Sequence, residues 1–507
     1  MHTDKIHINA DETRPLLYSD PSSTVKKNSN EFQTSAISGR NTDNQSQEPT
    51  PAKCMKNSLL IALIYLLVFT GYSSLSNLES SLSLVGVEAL SVAGVASVFG
   101  CYMSPLILAM VRPKAAIATA WFCMSLFIAA NFYPTQYTLF PACVMYGFAT
   151  GSAWTAQLSY TTNTAITYAK LTGKLEANTI ALSNGIFFLA YASAQVGGNT
   201  ISSLVLGRTD TYAIPPLPAF SFSNSSFDDN STSMLLIQDN DNTTLQCGVH
   251  YCPVSNNDVT SEGPPQQTVN TLLGIFLGCV GLGFLVSVFL LDPLSRFIPE
   301  ECKIREPKDA QSLLLSPLKQ LKNPGMLLLL PVLVYSGMQQ IVMFAQYTKA
   351  FVSCAVGVHY VGYVMTCMGL CSAVTSLLAG VLALYVGRVT LCLSGFVIQL
   401  GLHLHLMMWT EFDIYSLFVT SGAWGVSDGL LHTQLSALIG VMFQENQDAA
   451  FAIFRMLSSL GFAITYGYSA LLCFIMYLRK DRPYDPGSHS TLYDMTSPFL
   501  FNALSGN

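Results

Sequence analysis

Three side chains set four residues apart could do chemistry inside an otherwise lipid-like stretch. Residues 418–443 read FVTSGAWGVSDGLLHTQLSALIGVMF, and Trp424, Asp428 and His432 fall on one helical face there, with Gln434 close by. An Asp at mid-membrane costs about 2.5–3.5 kcal/mol on insertion scales, so it should face a cavity or a partner group. Two readings follow. In one, Asp428 lines a pathway or a proton-sensitive site. In the other, it bonds a nearby cation or amide and fixes helix register, and Arg455 is the candidate cation. His432 belongs to the residue type whose charge changes near neutral pH, but it reads first as a hydrogen-bonded packing residue.

Neutral amides recur in other apolar runs: Gln339, Gln340 and Gln346 in one, and Gln157 beside Trp154 in another. Interhelical bonds of this kind contribute only about 0.6 kcal/mol each on average in membranes, so these residues line a cavity or simply join helices. Gly422, Gly425 and Gly429 form a stripe where a second helix can come close. His403 and His405 are two apart, hence on different faces, which argues against a shared metal site. Neither a C-x-x-C nor a His/Cys cluster suggests zinc, and no P-loop or paired catalytic motif suggests an enzyme or a bound cofactor.

The elements that would position these residues follow from composition. Half of the 507 residues are hydrophobic and 11% are charged, against roughly 25% charged in an average soluble domain. This is a membrane-protein composition, and a net charge of −6 gives no reason to expect nucleic acid as a partner. Crossing the hydrocarbon core takes about 20 apolar residues, and helices are the form that satisfies the backbone there. Spans are predicted at 57–77, 85–111, 115–133, 138–160, 179–206, 270–291, 325–346, 356–386, 389–409, 414–441 and 450–478, eleven in all. Residues 1–56 are polar and lack an apolar period, which predicts a disordered tail without a signal peptide.

Orientation can be argued twice. The segment 292–324 carries Arg296, Lys303, Arg305, Lys308, Lys319 and Lys322, whereas 207–269 carries only Arg208 against seven acidic residues. The positive-inside rule puts the former in the cytosol as a linker and the latter outside. Three glycosylation acceptors, Asn224, Asn230 and Asn242, cluster in the same outer loop. Cys247 and Cys252 share it, and a small-loop disulfide between them is expected on the oxidising side. The N-terminal tail is then cytosolic, and its DETRPLL fits an acidic dileucine sorting motif through Glu12, Leu16 and Leu17. An extended segment of that kind suits a clathrin-adaptor pocket, and cycling between the plasma membrane and endosomes or lysosomes would follow. Beyond residue 478 the polar tail 479–507 offers no twelfth span.

An internal repeat organises the spans. TGSAW at 150–154 matches TSGAW at 420–424, and YSSLSNLESSL at 72–82 resembles YSGMQQIVMFAQYT at 335–348. Spans one and four therefore pair with seven and ten. That is an all-α bundle of the major facilitator type, built from two six-helix repeats and short of the twelfth helix. The halves would be 57–291 and 325–478. The loop between spans two and three reads MVRPKAA at 110–116, without the Asp and Gly common in transporters of this type. This weighs against active transport.

The second half also resembles a known family. YSGMQQIVMFAQYTKAFVSCAVGVHYVGYVM (335–365), GAWGVSDGLLHTQ (422–434) and DAAFAIFRMLSSLGFAITYGYS (448–469) are similar to the uncoordinated-ninety-three (UNC-93) family of ion-channel regulatory proteins, particularly its A-type members. WTAQLSY (154–160) and NTLLGIFLG (270–278) fit as well, and the likeness covers about 57–474. It implies a non-enzymatic multi-pass protein acting as accessory regulator of a potassium channel, with a two-pore channel subunit as partner. A major-facilitator solute transporter with Asp428 and the glutamines in its cavity is the alternative. A trafficking escort for another membrane protein is a third.

Overall fold

The computed structural model describes residues 49–82, 84–206, 247–248, 265–294, 309–409 and 413–480. Among them the secondary structure is helical throughout. The first half runs α1 (Pro51–Leu82), α2 (Leu84–Val111), α3 (Pro113–Ala130), α4 (Gln136–Thr172), α5 (Glu176–Leu206) and α6 (Gln266–Phe289). Two short helices, α7 (Ala310–Leu314) and α8 (Ser316–Gln320), lie in the connecting segment. The second half comprises α9 (Pro324–Val356), α10 (Val358–Leu382), α11 (Arg388–Met408), α12 (Ile414–Met442) and α13 (Gln447–Lys480). The first helix starts at Pro51, inside the segment expected to be tail, and residues 1–48 lie outside the described residues.

Nine of these helices are long and apolar enough to cross a membrane. The two other long ones are α4 and α12, which the repeat pairs with each other. Each turns a polar face into protein rather than lipid. In α4 that face carries buried Thr150, Thr155, Gln157 and Thr161; in α12 it carries Ser427, Asp428, His432 and Gln434. Hydropathy underrates both because side chains satisfied inside a bundle need no apolar character.

The packing obeys the repeat. Contacts of α1 with α5, α2 with α4 and α3 with α4 recur as α9 with α13, α10 with α12 and α11 with α12. The halves meet where α5 lies along α10 and, symmetrically, α2 lies along α13. At the first seam Gly185 faces Gly380 so closely that a Cβ on Gly185 would stand 3.0 Å from the Ser376 carbonyl oxygen. Small residues allow this backbone approach, which favours helix association in lipid. At the end where α1 begins, Asn57 exchanges two 3.0 Å bonds with Asp292, and Tyr160 donates to the Asp292 carbonyl at 2.9 Å. This ties α1 and α4 to the segment after α6.

Two features depart from the sequence reading. Residues Val342–Ser353 of α9 form a π-helical stretch, which the apolar pattern did not signal. The disulfide is also different: Cys247 pairs with Cys354, 107 residues away, with Cα atoms 5.7 Å apart. Short sequence separation favoured Cys252, which lies outside the described residues. In the fold Cys354, just past the π-helical stretch, lies beside Cys247. The Gly248 N–H also donates to the Ala350 carbonyl at 2.9 Å, holding this part of the loop against α9.

Candidate functional site

The glycine stripe of α12 sets the site's geometry. A Cβ on Gly425 would collide with the Met368 carbonyl of α10, and one on Gly429 would come within 2.7 Å of the Ser372 carbonyl. With α12 pressed onto α10 in this way, Asp428 reaches Ser372, whose hydroxyl donates to its Oδ2 at 3.2 Å. From α9, Gln339 donates through Nε2 to Oδ1 at 3.0 Å. His432, one turn along α12, places Nε2 3.4 Å from the same oxygen. The carboxyl is 7% exposed and both its oxygens are occupied.

The network continues through Gln339. Its Oε1 accepts from Trp424 Nε1 at 2.8 Å and from Gln399 Nε2 of α11 at 3.3 Å. Ser427 Oγ lies 2.6 Å from Gln399 Oε1. His403 sits against the Trp424 ring at 5.1 Å, and its Nδ1 is 2.8 Å from the Gln399 carbonyl. Four helices of the second half, α9 to α12, are thereby joined through one carboxyl and two amides. Each such bond is worth about 0.6 kcal/mol on average and at most about 1.7, so the network's weight lies in its being complete. Gln434 makes a separate tie, donating to the Ala379 carbonyl of α10 at 2.7 Å.

Sequence singled out Trp424, Asp428, His432 and Gln339, and the structure brings these four together. Gln399, Ser372 and Ser427 were missed. A lone Gln in the apolar run FVIQLGL was a usable signal for the first, but serines are too common in such runs to be one.

Arg455 is not the partner of Asp428. It projects from α13 towards the first half, where its guanidinium carbon lies 4.2 Å from the centre of the Trp154 ring and 4.7 Å from that of Phe454. The side chain is 9% exposed, and neither Nε nor Nη2 finds a hydrogen-bond partner among the described residues. Asp428 is held instead by α9 and α10. Trp154 belongs to an aromatic cluster with Tyr65, Phe69 and Tyr191, built on α1, α4 and α5. Phe69, Trp154 and Tyr191 of this cluster and Arg455 line a cavity of about 110 Å³, together with Gln340 and His432. Gln157 stays off it, donating along α4 to Thr161 at 3.1 Å.

Asn224, Asn230, Asn242, Glu12, Leu16 and Leu17 lie outside the described residues. No group of three or more His, Cys, Asp or Glu suited to a metal ion occurs among the described residues.

Comparison with known proteins places the chain. Residues 83–410 and 403–479 match the family described as "Ion channel regulatory protein UNC-93". The chain belongs to the UNC-93 family. It is 34% identical to protein unc-93 homolog A of Xenopus laevis over 83% of this chain and 88% of that protein. The homolog A of Homo sapiens is 33% identical with the same coverage. The Caenorhabditis elegans protein named "Putative potassium channel regulatory protein unc-93" is 27% identical over 82% of this chain and 57% of its own length. In fold the chain is similar to the human organic anion transporter MFSD10, with TM-score 0.53, 11% identity and coverage of 85% and 97%. It is likewise similar to the proton:xylose symporter XylE of the major facilitator superfamily, with TM-score 0.52, 11% identity and coverage of 84% and 90%. At such identity these likenesses establish the fold: a multi-pass helical membrane protein of the major facilitator type.

Proposed function

We propose that this protein is a non-enzymatic accessory regulator of a potassium channel. The observation that carries the reading is the closure of the Asp428 network. The carboxyl whose place in α12 raised the prospect of a transport pathway is occupied by Gln339, Ser372 and His432. An intramembrane acid held in this way fixes the register of four helices and presents a rigid body to a partner, which suits a regulatory subunit. The name of the nematode relative points in the same direction. A two-pore channel subunit is the partner of choice. Its contact surface would be the lipid-facing helix faces and the outer loop, at the plasma membrane, with an adaptor complex at the N-terminal dileucine segment recycling the protein through endosomes or lysosomes.

The test is potassium current in cells expressing two-pore channels with and without this chain, measured together with channel density at the surface. A changed current at constant density supports direct regulation. A changed density at constant current per channel would make the protein a trafficking escort instead. No effect across the channel set would sink the regulatory reading. Solute transport then becomes the favoured alternative, because the cavity between the halves is the observation that speaks for it.

A further inference from the structure

We infer that the cavity between the halves is a binding site for a small organic monocarboxylate, held by Arg455. The first observation is the charge. An arginine keeps its charge at any physiological pH. Arg455 is buried, and among the described residues no Asp or Glu lies within ion-pair distance of it. Asp428, the buried acid of α12, has its oxygens engaged by Gln339 and Ser372. Leaving a buried charge uncompensated is costly, and stacking on Trp154 and Phe454 offsets only part of that cost. An anion in the cavity would remove the deficit.

The second observation is the chemistry of the free donors. Nε and Nη2, the two without partners, lie on the same edge of the guanidinium. That edge matches the two oxygens of a carboxylate through parallel N–H bonds. Both nitrogens are enclosed in this state, so engaging an anion requires the guanidinium to swing off Trp154 and Phe454. Gln340 stands ready to assist: it is buried, lines the cavity, and its side-chain amide makes no hydrogen bond among the described residues.

The third observation is size and lining, which narrow the class. Arg455 is the sole Arg or Lys among the lining residues described, so the site suits a monoanion rather than a di- or triphosphate. Phe69, Tyr72, Trp154 and Tyr191 supply an aromatic wall for an apolar body. A volume of about 110 Å³ is smaller than the roughly 150 Å³ of an engineered cavity that admits benzene, so the body is a short aliphatic chain. Binding of this kind needs neither a channel partner nor net transport, and its outcome is separate from the current measurement.

The test uses the purified full-length protein in detergent, titrated with sodium propionate at constant ionic strength. The readouts are tryptophan fluorescence, to which the stacked Trp154 is sensitive, and the melting midpoint. Propionamide, of the same shape and without charge, is the control. The expected result is a saturable fluorescence change and a rise in the midpoint with propionate alone, weakened about tenfold or more in Arg455→Gln. Should Arg455→Gln fail to fold, Arg455→Lys keeps the charge but loses the paired edge, and about a threefold or greater weakening is expected. Equal responses to propionate and propionamide, no response to propionate, or an unchanged affinity in the Arg455 variant would overturn the proposal.

Discussion

Asp428 and Arg455 are both ionisable residues buried in helices of the second half, and the protein treats them in opposite ways. Asp428 faces inward among α9, α10, α11 and α12, where amides and hydroxyls occupy its oxygens. Arg455 faces the other half of the molecule, where aromatic rings and a cavity receive it and two of its donors find no partner among the described residues. Residue type and burial alone would have classed them together. What separates them is which neighbours the fold supplies. A saturated acid locks one half; an unsaturated base at the seam is available for something that comes and goes.

The comparison can be broken first at its foundation. Gly425→Val drives a side chain into the Met368 carbonyl, so α12 must lift from α10 and take Asp428 away from Ser372. We expect a loss of about 3 kcal/mol or more, read as a large drop in melting midpoint and retention inside the cell. A midpoint close to wild type would show that the helices do not pack as described. Asp428→Ala removes the acceptor while leaving the Gln339 and Ser372 donors buried, at about 1–3 kcal/mol for each group stranded. Asp428→Asn should lose much less, because an amide still accepts from one neighbour. If Asn is as damaging as Ala, charge rather than bonding holds the network.

Smaller changes sharpen the contrast. Trp424→Phe deletes one bond to Gln339 and keeps the ring beside His403, so a loss of about 0.6–1.7 kcal/mol is expected in the same melting assay. Arg455→Gln should fall at the far end of the series, within about 1 kcal/mol of wild type or more stable, since it relieves an uncompensated buried charge. A drop as large as that of Asp428→Ala would mean that Arg455 is structurally paired, and the distinction between the two residues would fail.

Much of this was legible in the sequence. Apolar runs placed the long helices to within a few residues at most ends, because in lipid the backbone permits little else. The TGSAW and TSGAW pair exposed the repeat, and packing follows it helix for helix. Within the site, four-residue spacing put Trp424, Asp428 and His432 on one face, and glycine spacing marked the side that meets α10. Other features were less accessible. Gln399 and Ser372 come from helices whose rotation about their axes the apolar pattern leaves open. The Cys247–Cys354 bridge joins segments 107 residues apart, and proximity in sequence pointed to the wrong neighbour.

The sequence by itself determined the class of protein, the order of the long helices among the described residues, the two-fold repeat and the family, since each is a matter of local composition, periodicity or residue identity. Only the tertiary structure decided that Asp428 belongs to Gln339 and Ser372, that Arg455 belongs to Trp154 and the cavity, and that Cys354 pairs with Cys247. The physical reason is common to all three. A buried polar side chain takes the nearest group that its helix's rotation and depth allow, and those are set by how the helices pack together rather than by any one of them.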